Sequence, residues 1–247
     1  MKLGLALVGG SPVLIADRAG ETVRLDGDGL PADPLAVLTD PALKSKAEAA
    51  LRTAKGTPGK LDYLAPLKNL NRIFCVGLNY VDHVAESPYK NRTEHPVFFI
   101  RVASGVVPHE APLVRPGVSE QLDWEGELAV VIGREGRAIR EEDALDHVAA
   151  YTLFNDGSIR DWQFDEGPRQ WTLGKNFDDS GSIGPMLVSA DELPKGAKGL
   201  ALETRINGKA YQKANTDDLI FSIAQVIARL SIAIKLLPGD VIATGTP

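Results

Sequence analysis

Two glutamates stand two residues apart at the start of an apolar segment. Glu125 and Glu127 open the run that continues to Ile132, and alternate side chains of a strand project from one face, with Cα atoms about 6.5–7 Å apart. Two carboxylates held so close repel each other unless a cation lies between them. Oxygen ligands suit Mg²⁺, Mn²⁺ or Ca²⁺, so the pair predicts a divalent-metal site. A solvated pair on an edge strand is the alternative.

A third carboxylate would strengthen that prediction, and the sequence offers two. Asp156 and Asp161 both follow the apolar segment Ala150–Phe154, and an acid at the end of a strand faces outward, where a site can be built. Asn-Asp-Gly around Asp156 is also ordinary turn chemistry. The spacing does not choose between the two aspartates.

A histidine and a glutamate are spaced for one turn of helix. His83 and Glu86 share a face at i, i+3 if this segment is helical. A carboxylate beside an imidazole orients the ring and raises its basicity, so the pair predicts a general base and its orienting partner. A capped His–Glu pair on the surface is the commoner alternative. His147 lies on a predicted helix, and we expect it to be solvated.

Two further side chains bear on catalysis. Lys175 follows a glycine in a segment that contains aromatic residues; a lysine so placed can donate to a developing oxyanion, although such lysines are more often surface residues. Cys75 lies inside the apolar run Ile73–Val76, which favours a core residue over a nucleophile.

Short strands must carry most of these residues. Segments rich in Val, Ile, Phe and Tyr predict strands at Ile73–Val76, Val97–Ile100, Glu127–Ile132, Ala150–Phe154 and Leu202–Ile206. Asn207-Gly208 predicts a two-residue hairpin turn after the last of them. Two helices are expected, at Glu141–Ala149 and at Asp217–Lys235, the second with Thr216 as its N-cap. This pattern is typical of a mostly β, α+β protein rather than of alternating βαβ units.

The first 68 residues differ from the rest. Strands are predicted at Leu3–Val8 and Val13–Ala16, and Asp40-Pro41 begins a helix that runs to about Ala54. We expect a small N-terminal α/β domain over residues 1–68 and a catalytic domain over residues 69–247. One continuous domain is the alternative.

Composition excludes several classes of protein. The 247 residues carry 27 Lys and Arg against 33 Asp and Glu, and this net charge of −6 argues against nucleic acid as a partner. One cysteine excludes an internal disulfide framework and a cysteine-rich zinc site. No Gly-x-Ser-x-Gly elbow, P-loop or dinucleotide fingerprint is found. No apolar run approaches the roughly 20 residues that span a bilayer, so we expect a cytoplasmic protein with no membrane partner.

Six separated motifs occur in one order along residues 70–247. They are Gly77-x-Asn79-Tyr80-x-x-His83-x-x-Glu86, Asp123-Trp124-Glu125-Gly126-Glu127-Leu128, Asn155-Asp156 with Arg160-Asp161-x-Gln163, Lys175 with Phe177-Asp178, Gly184-Pro185, and Pro238-Gly239-Asp240 with Thr244-Gly245-Thr246-Pro247. Together they resemble the fumarylacetoacetate hydrolase family, and most of all its small bacterial members that act on acylpyruvates and related 2-oxo acids. The resemblance implies a mixed β-roll catalytic domain behind a small N-terminal domain, and a homodimer.

The resemblance also implies which residues bind the metal. It places a divalent cation, usually Mg²⁺, on Glu125, Glu127 and Asp156, and it thereby favours Asp156 over Asp161.

Further roles follow from the same resemblance. It places His83 and Glu86 on a mobile lid and Lys175 close to the metal. It also places three residues near the substrate: Arg160, Gln163 and Thr246.

Four positions depart from the family pattern: Gly157, Ile159, Arg101 and Asn176. Arg101 stands where the family has the lysine of a Phe-x-Lys motif. If its guanidinium reaches the site it would hold a distal substrate carboxylate, but we expect a surface or interface ion pair. Family members continue for a few strands beyond the motif that ends at Pro247; if those strands are absent, the roll is incomplete.

These residues imply hydrolysis of a carbon–carbon bond in an acylpyruvate-like 2,4-dioxo acid, which gives pyruvate and a carboxylic acid. The metal would stabilise an enolate, His83 would activate water with Glu86 as its partner, and Lys175 would stabilise oxyanion charge. Oxaloacetate decarboxylation, and hydration or isomerisation of 2-oxo-enoates, share this chemistry and are the alternatives. We expect oxaloacetate to be the slower substrate. A non-enzymatic metal-dependent binding protein is the alternative from another class.

Overall fold

The structure is a computed structural model that describes residues 1–25, 29–54, 56, 60–70, 72–86, 94–164 and 171–247, with only the backbone of Glu86. Strands dominate this part of the chain. They are β1 Lys2–Val8, β2 Ser11–Arg18, β3 Glu21–Arg24, β4 Asp62–Leu64, β5 Ile73–Gly77, β6 Val97–Arg101, β7 Val106–Pro108, β8 Leu122–Asp123, β9 Gly126–Ile132, β10 Val148–Asn155, β11 Ser158–Ile159, β12 Gly181–Ile183, β13 Met186–Ser189, β14 Ala201–Ile206, β15 Lys209–Asn215 and β16 Val241–Ala243.

Helices are few and short. The α-helices of the described residues are α1 Pro34–Thr39, α2 Pro41–Thr53, α3 Val81–Glu86, α4 Arg160–Phe164 and α5 Ile223–Ala233. Single turns and short 3₁₀ helices lie at Ala103–Gly105, Glu141–His147, Ala190–Glu192, Lys195–Ala197 and Thr216–Asp218. Within the described ranges, no helix combines the length and the apolar character needed to cross a membrane.

One large mixed sheet positions the site. Its main path runs β3-β2-β1-β13-β10-β9-β16-β5-β6, and β4, β7 and β12 pair beside that path. Most neighbours are antiparallel, whereas β16 runs parallel to β5 and β12 runs parallel to β7. Because β1 pairs with β13, the strands of the first 24 residues continue the sheet that carries the later motifs.

Both faces of the central strands are buried. Along β9, Val130 belongs to a cluster with α5, whereas Ala129 and Val131 belong to a second cluster on the other side of the sheet, against which α1 packs through Leu35 and Leu38. A strand covered on both faces has no position that favours a polar side chain, and this explains the uninterrupted apolar run in the sequence.

The predicted strands and the hairpin are confirmed. Each of the five predicted segments lies within or largely overlaps an observed strand, and the Asn207-Gly208 turn joins β14 to β15 with Ile206 paired to Lys209. The helix predicted from Asp40-Pro41 is α2, where Asp40 Oδ1 accepts hydrogen bonds from the N–H groups at the first turn.

The helix predicted over Asp217–Lys235 is wrong at its start. Thr216–Asp218 forms one 3₁₀ turn, and the chain then extends before Ser222 caps α5 in a capping box with Gln225. Buried Asn79 holds the extended stretch, because its side-chain oxygen accepts from Phe221 N at 2.8 Å and its amide donates to Phe221 O at 3.2 Å. The periodicity of the sequence continued through a segment that this contact removes from the helix.

The helix predicted over Glu141–Ala149 is also corrected. Glu141–His147 is a 3₁₀ helix, and β10 begins at Val148 because Val148 pairs with Ile132 of β9. His147 is buried rather than solvated, with Nδ1 2.9 Å from the carbonyl oxygen of Arg134.

Candidate metal centre and its cavity

The register between β9 and β10 brings the three predicted acids together. Asn155 pairs with Gly126, and the next N–H, that of Asp156, donates to Glu125 O at 2.9 Å. Residues that lie opposite each other on antiparallel strands share a face, so Asp156 lies beside Glu125. Glu127, two residues along β9, presents its side chain on the same face.

The three carboxylates converge on one point. Glu125, Glu127 and Asp156 each offer an oxygen, and these oxygens lie within 4.8 Å of one another. All three side chains are buried, with residue exposures of 5%, 2% and 0%. Buried like charges so close are unfavourable unless positive charge compensates them, and an all-oxygen donor set fits a hard divalent cation.

Basic side chains compensate two of the three acids. Lys175 Nζ lies 2.5 Å from Glu125 Oε2 and 2.9 Å from Asp156 Oδ2. Arg160 Nη1 donates to Glu125 Oε1 at 2.6 Å, and Arg101 Nη1 donates to Asp156 Oδ1 at 2.7 Å. Both oxygens of Glu125 and both oxygens of Asp156 are therefore already engaged by cations.

Glu127 differs from its two neighbours. Its Oε2 accepts one hydrogen bond, from Gly245 N at 2.8 Å, and no ion pair involves it among the residues that the structure describes. Burial first, and then the Asp156 and Glu125 carboxylates, raise the pKa of Glu127 well above its usual value. A cation bound at this cluster would give Glu127 the positively charged partner that its two neighbours already have.

The environment of Glu125 acts in the opposite direction. Burial raises the pKa of this carboxyl, but Lys175 and Arg160 outweigh burial and hold the pKa below its usual value. Burial likewise lowers the pKa of Lys175, and the Asp156 and Glu125 carboxylates reverse that effect, so the pKa of Lys175 lies above its usual value. This direction favours the ammonium form of Lys175, which donates to both carboxylates.

A cavity of about 510 Å³ opens onto these groups. Glu125 and Glu127 line it, and Asp156 lies fully buried behind them. Five of the other residues predicted from the sequence also line it: His83, Arg160, Gln163, Lys175 and Thr246. Glu86 ends α3, and its side chain lies outside the described residues, so the predicted His83–Glu86 contact stays a prediction.

The rival aspartate lies elsewhere. Asp161 Oδ1 accepts from Ser119 Oγ at 2.7 Å, and Asp161 does not belong to the carboxylate cluster. Lys175 is buried at 2% exposure rather than on the surface. Cys75 is fully buried in β5, as expected for a core residue.

The expectation for Arg101 is wrong in both of its forms. Its side chain is 0% exposed, so it forms no surface or interface pair. It points at Asp156 rather than into the cavity, so it does not meet a distal substrate carboxylate.

Sequence reasoning missed one wall of the cavity, which β15 supplies. Tyr211, Gln212 and Lys213 all line the cavity. Gln212 fixes the strand there, because its Oε1 accepts from Gly126 N at 3.1 Å and its Nε2 donates to Thr246 Oγ1 at 2.7 Å. The Asn-Gly turn revealed the hairpin, but no local signal showed where the hairpin docks.

Comparison with known proteins agrees with this geometry. The sequence profile of the fumarylacetoacetate (FAA) hydrolase C-terminal domain matches residues 72–247. This chain belongs to the fumarylacetoacetate hydrolase family. The match includes every residue of the carboxylate cluster and of the cavity described above.

Curated relatives within the family carry a specific name. An oxaloacetate tautomerase of Xenopus laevis is 41% identical over 81% of this chain and 65% of its own length. A human oxaloacetate tautomerase is 41% identical over 76% of this chain and 59% of its own length. The chain therefore spans about three fifths of the length of these relatives. Both are named as mitochondrial proteins, so the cytoplasmic location stays a prediction.

Solved structures of the family share the fold over the whole chain. A fumarylacetoacetate hydrolase from Exiguobacterium antarcticum matches with a TM-score of 0.84 and 30% identity, over 100% of this chain and 87% of its own. A maleylpyruvate hydrolase from Sphingobium sp. SYK-6, solved with manganese(II) and pyruvate, matches with a TM-score of 0.81 and 28% identity, over 100% of this chain and 89% of its own.

Proposed function

We propose that this chain is a divalent-metal-dependent enzyme that interconverts the keto and enol forms of a 2-oxo acid, with oxaloacetate as the substrate. The observation that carries the proposal is the convergence of Glu125, Glu127 and Asp156 beside the Lys175 ammonium at one end of a cavity. The oxaloacetate tautomerases that are 41% identical to this chain support the choice of reaction.

The three acids and Lys175 have different proposed roles. Glu125, Glu127 and Asp156 would hold Mg²⁺ or Mn²⁺. When bound, such a cation acts as a Lewis acid that acidifies the carbon next to the 2-oxo group. Lys175 is fixed by Glu125 and Asp156, so its remaining N–H can stabilise negative charge on the 2-oxo oxygen without reorganising.

Tautomerisation moves one proton and changes no oxidation state. The C3 proton leaves as the C2 oxygen gains one, and the reverse step restores the keto acid. His83 lines the cavity and is the proposed proton carrier, because a neutral imidazole can accept a proton and return it near neutral pH. The predicted role of Glu86 as its orienting partner belongs to the same proposal.

The charges along the cavity support a dicarboxylic substrate. Arg160 pairs with Asp123 and Glu125, and Lys175 pairs with Glu125 and Asp156. Lys213 also lines the cavity, and no ion pair with a described residue neutralises it. We propose that a substrate carboxylate remote from the cluster pairs with Lys213; oxaloacetate carries such a carboxylate, whereas acetylpyruvate does not.

Hydrolysis of an acylpyruvate is the second candidate. The maleylpyruvate hydrolase whose structure covers the whole of this chain favours it. Both reactions need an enolate beside a cation, and hydrolysis needs in addition a water that His83 activates. Sequence reasoning placed hydrolysis first; the curated relatives lead us to place tautomerisation of oxaloacetate first.

Stopped-flow absorbance of the oxaloacetate enol tests this order. Metal ions alone speed ketonisation, so the reference is the same buffer and Mg²⁺ with the Glu127→Gln variant. We expect the wild-type protein to exceed that reference and EDTA to abolish the excess. No excess on oxaloacetate together with pyruvate release from an acylpyruvate would establish hydrolysis instead. Activity on neither substrate would reject the proposal.

A further inference from the structure

Arg101 is the largest fully buried side chain of the described residues, and its contacts lead to the carboxylate cluster. Its Nη1 donates to Asp156 Oδ1 at 2.7 Å and to Gly157 O at 2.8 Å. Its Nη2 donates to Gly105 O at 2.9 Å and bonds Ser180 Oγ at 2.7 Å. One guanidinium thus ties the end of β6 to three other segments of the chain.

The structure leaves space for this guanidinium and for little else. A Cβ atom at Gly181 would lie 2.9 Å from Arg101 Cζ, and a Cβ at Gly105 would lie 3.4 Å from Nη2. The contact at Gly181 is closer than side-chain atoms normally approach, and the contact at Gly105 is already at van der Waals distance. On another side, the guanidinium carbon lies 5.9 Å from the centre of the Phe154 ring. The guanidinium is therefore closely packed on these three sides.

The backbone that carries Arg101 is fixed from the segment that carries Lys175. Asn176 Nδ2 donates to Ile100 O at 3.0 Å, and Asn176 Oδ1 accepts from Val102 N at 2.7 Å. These bonds hold the residues on both sides of Arg101. Asn176 and Arg101, two of the four departures from the family pattern, thus act on the same strand end.

We propose that Arg101 is a positioning residue for the metal site, which holds the Asp156 carboxylate by Oδ1 so that Oδ2 faces Lys175 and the cation. A carboxylate with one oxygen clamped cannot rotate to a bidentate or outward arrangement. Partners that orient a metal ligand from behind typically account for about 10–100-fold in metal affinity. The inference rests on the metal site of the proposed function and not on the identity of the substrate.

Whether Mn²⁺ binds more tightly or more weakly in Arg101→Met distinguishes a positioning role of Arg101 from a purely electrostatic one. Arg101→Met removes a positive charge from beside the cation, so charge alone would tighten Mn²⁺ binding, whereas loss of the clamp weakens it. We expect Mn²⁺ binding, measured by titration calorimetry on folded protein, to weaken about 10–100-fold. Unchanged or tighter binding would overturn the assignment.

Arg72→Met is the matched control. Arg72 forms a two-bond ion pair with Asp240, which is 5% exposed and does not line the cavity. Its loss should lower the melting temperature and leave Mn²⁺ affinity unchanged, which shows that a general loss of stability does not weaken the site. If Arg72→Met weakened Mn²⁺ binding as much as Arg101→Met does, the effect at Arg101 would be a general loss of stability, and the assignment would be overturned.

One replacement variant and two further outcomes complete the test. If Arg101→Met does not fold, Ser180→Ala replaces it, because this variant removes one anchor of Nη2; we expect weaker Mn²⁺ binding of smaller size, and wild-type affinity would reject the clamp. A wild-type protein that binds no Mn²⁺ would remove the metal site, and with it the proposed function. If Arg101→Met weakens Mn²⁺ binding as expected but the wild-type protein has no activity on oxaloacetate, the clamp stands and only the proposed substrate is rejected.

Discussion

Glu125 and Glu127 are chemically identical and two residues apart, yet their surroundings give them opposite properties. Lys175 and Arg160 hold the pKa of Glu125 low, and burial beside two other carboxylates raises the pKa of Glu127. Of these two glutamates, Glu127 is therefore the one whose ionised form is disfavoured without a cation, and a bound cation would stabilise that form. Function and stability conflict at this one side chain.

Glu127→Gln tests that conflict. The amide keeps the size and the acceptor for Gly245 N but removes a carboxyl whose ionised form is disfavoured by burial and by two neighbouring carboxylates. We expect Mn²⁺ affinity to fall by at least about 10–100-fold, while the melting temperature measured in EDTA stays equal or rises. Glu135→Gln, at a glutamate with 60% side-chain exposure, should change neither quantity. Retained Mn²⁺ affinity together with a lower melting temperature would contradict this account of Glu127.

Lys213→Ala tests the dicarboxylate substrate. Removing a partly exposed ion-pair partner costs about 0.2–1 kcal/mol, so we expect KM for oxaloacetate to rise about 1.4–5-fold. Exchange of the C3 hydrogens of 2-oxobutyrate, which lacks the second carboxylate, should be unchanged by NMR in D₂O. Lys209→Ala removes the same charge from the same strand outside the cavity and should affect neither substrate. Equal effects on both substrates would mean that Lys213 does not bind the second carboxylate of oxaloacetate.

At the scale of elements, the motif that begins with Gly77 contributes one residue that stabilises the fold and another that lines the cavity. His83 lies on α3 at the cavity, whereas Asn79 is buried and joins three segments. Its amide donates to Thr244 O at 2.7 Å and bonds both polar groups of the Phe221 backbone. The asparagine of the motif thus holds the start of α5 against the segment after β16.

Asn79→Ala should destabilise the fold without removing a cavity residue. The substitution removes the side-chain partner of the buried Thr244 O and of the partly buried N–H and C=O of Phe221, and a buried polar group left unsatisfied costs about 1–3 kcal/mol. Urea unfolding should show a loss of at least this size relative to wild type, while Asn69→Ala, at an exposed asparagine, should show almost none. Wild-type stability of Asn79→Ala would mean that these bonds are dispensable.

The sequence predicts the parts of this fold that depend on local pattern. Runs such as Ile73–Val76 predict strands because β-branched and aromatic residues favour them, and Asn207-Gly208 predicts its hairpin through backbone geometry. The start of α5 is mispredicted because a residue more than 140 positions away, Asn79, competes for its backbone. Propensity carries no information about such distant partners.

The site divides in the same way. The three acids proposed to bind a metal follow from strand alternation and a family resemblance, and the register of β9 with β10 brings them together. Lys213 and Arg101 do not follow from the sequence, because the docking of a hairpin and the packing of a buried guanidinium depend on tertiary contacts. A charged residue is exposed in most proteins, and this general rule gave the wrong expectation for Arg101.

At the scale of the whole molecule, the sheet connects the N-terminal strands to the site. β1 pairs with β13, β13 with β10, and β10 with β9, which carries Glu127. Loss of the N-terminal strands would expose the edge of β13, two strands away from Glu127 and the carboxylate cluster. Whether residues 1–68 fold alone, and whether the chain forms the expected homodimer, stay predictions that fragment expression and light scattering would check.

The reactivity of the Cys75 thiol measures whether this sheet is closed. It is fully buried in β5, between β16 and β6, and burial raises the pKa of its thiol well above the usual value. Because the thiolate is the reactive form, the native protein should not react with a disulfide reagent at neutral pH. We expect one thiol to react only as the sheet opens, at a rate that follows urea unfolding. Immediate reaction of native protein would contradict the buried position.

The central claim is that Glu125, Glu127 and Asp156 hold one divalent cation at the end of the cavity. Anomalous diffraction from crystals grown with Mn²⁺ tests it most directly, because the signal locates the metal without assumptions about activity. We predict one strong peak within coordination distance of an oxygen of each of the three side chains, and its loss in Glu127→Gln crystals grown under the same conditions. A peak elsewhere, or carboxylates that separate and leave no peak between them, would contradict the account.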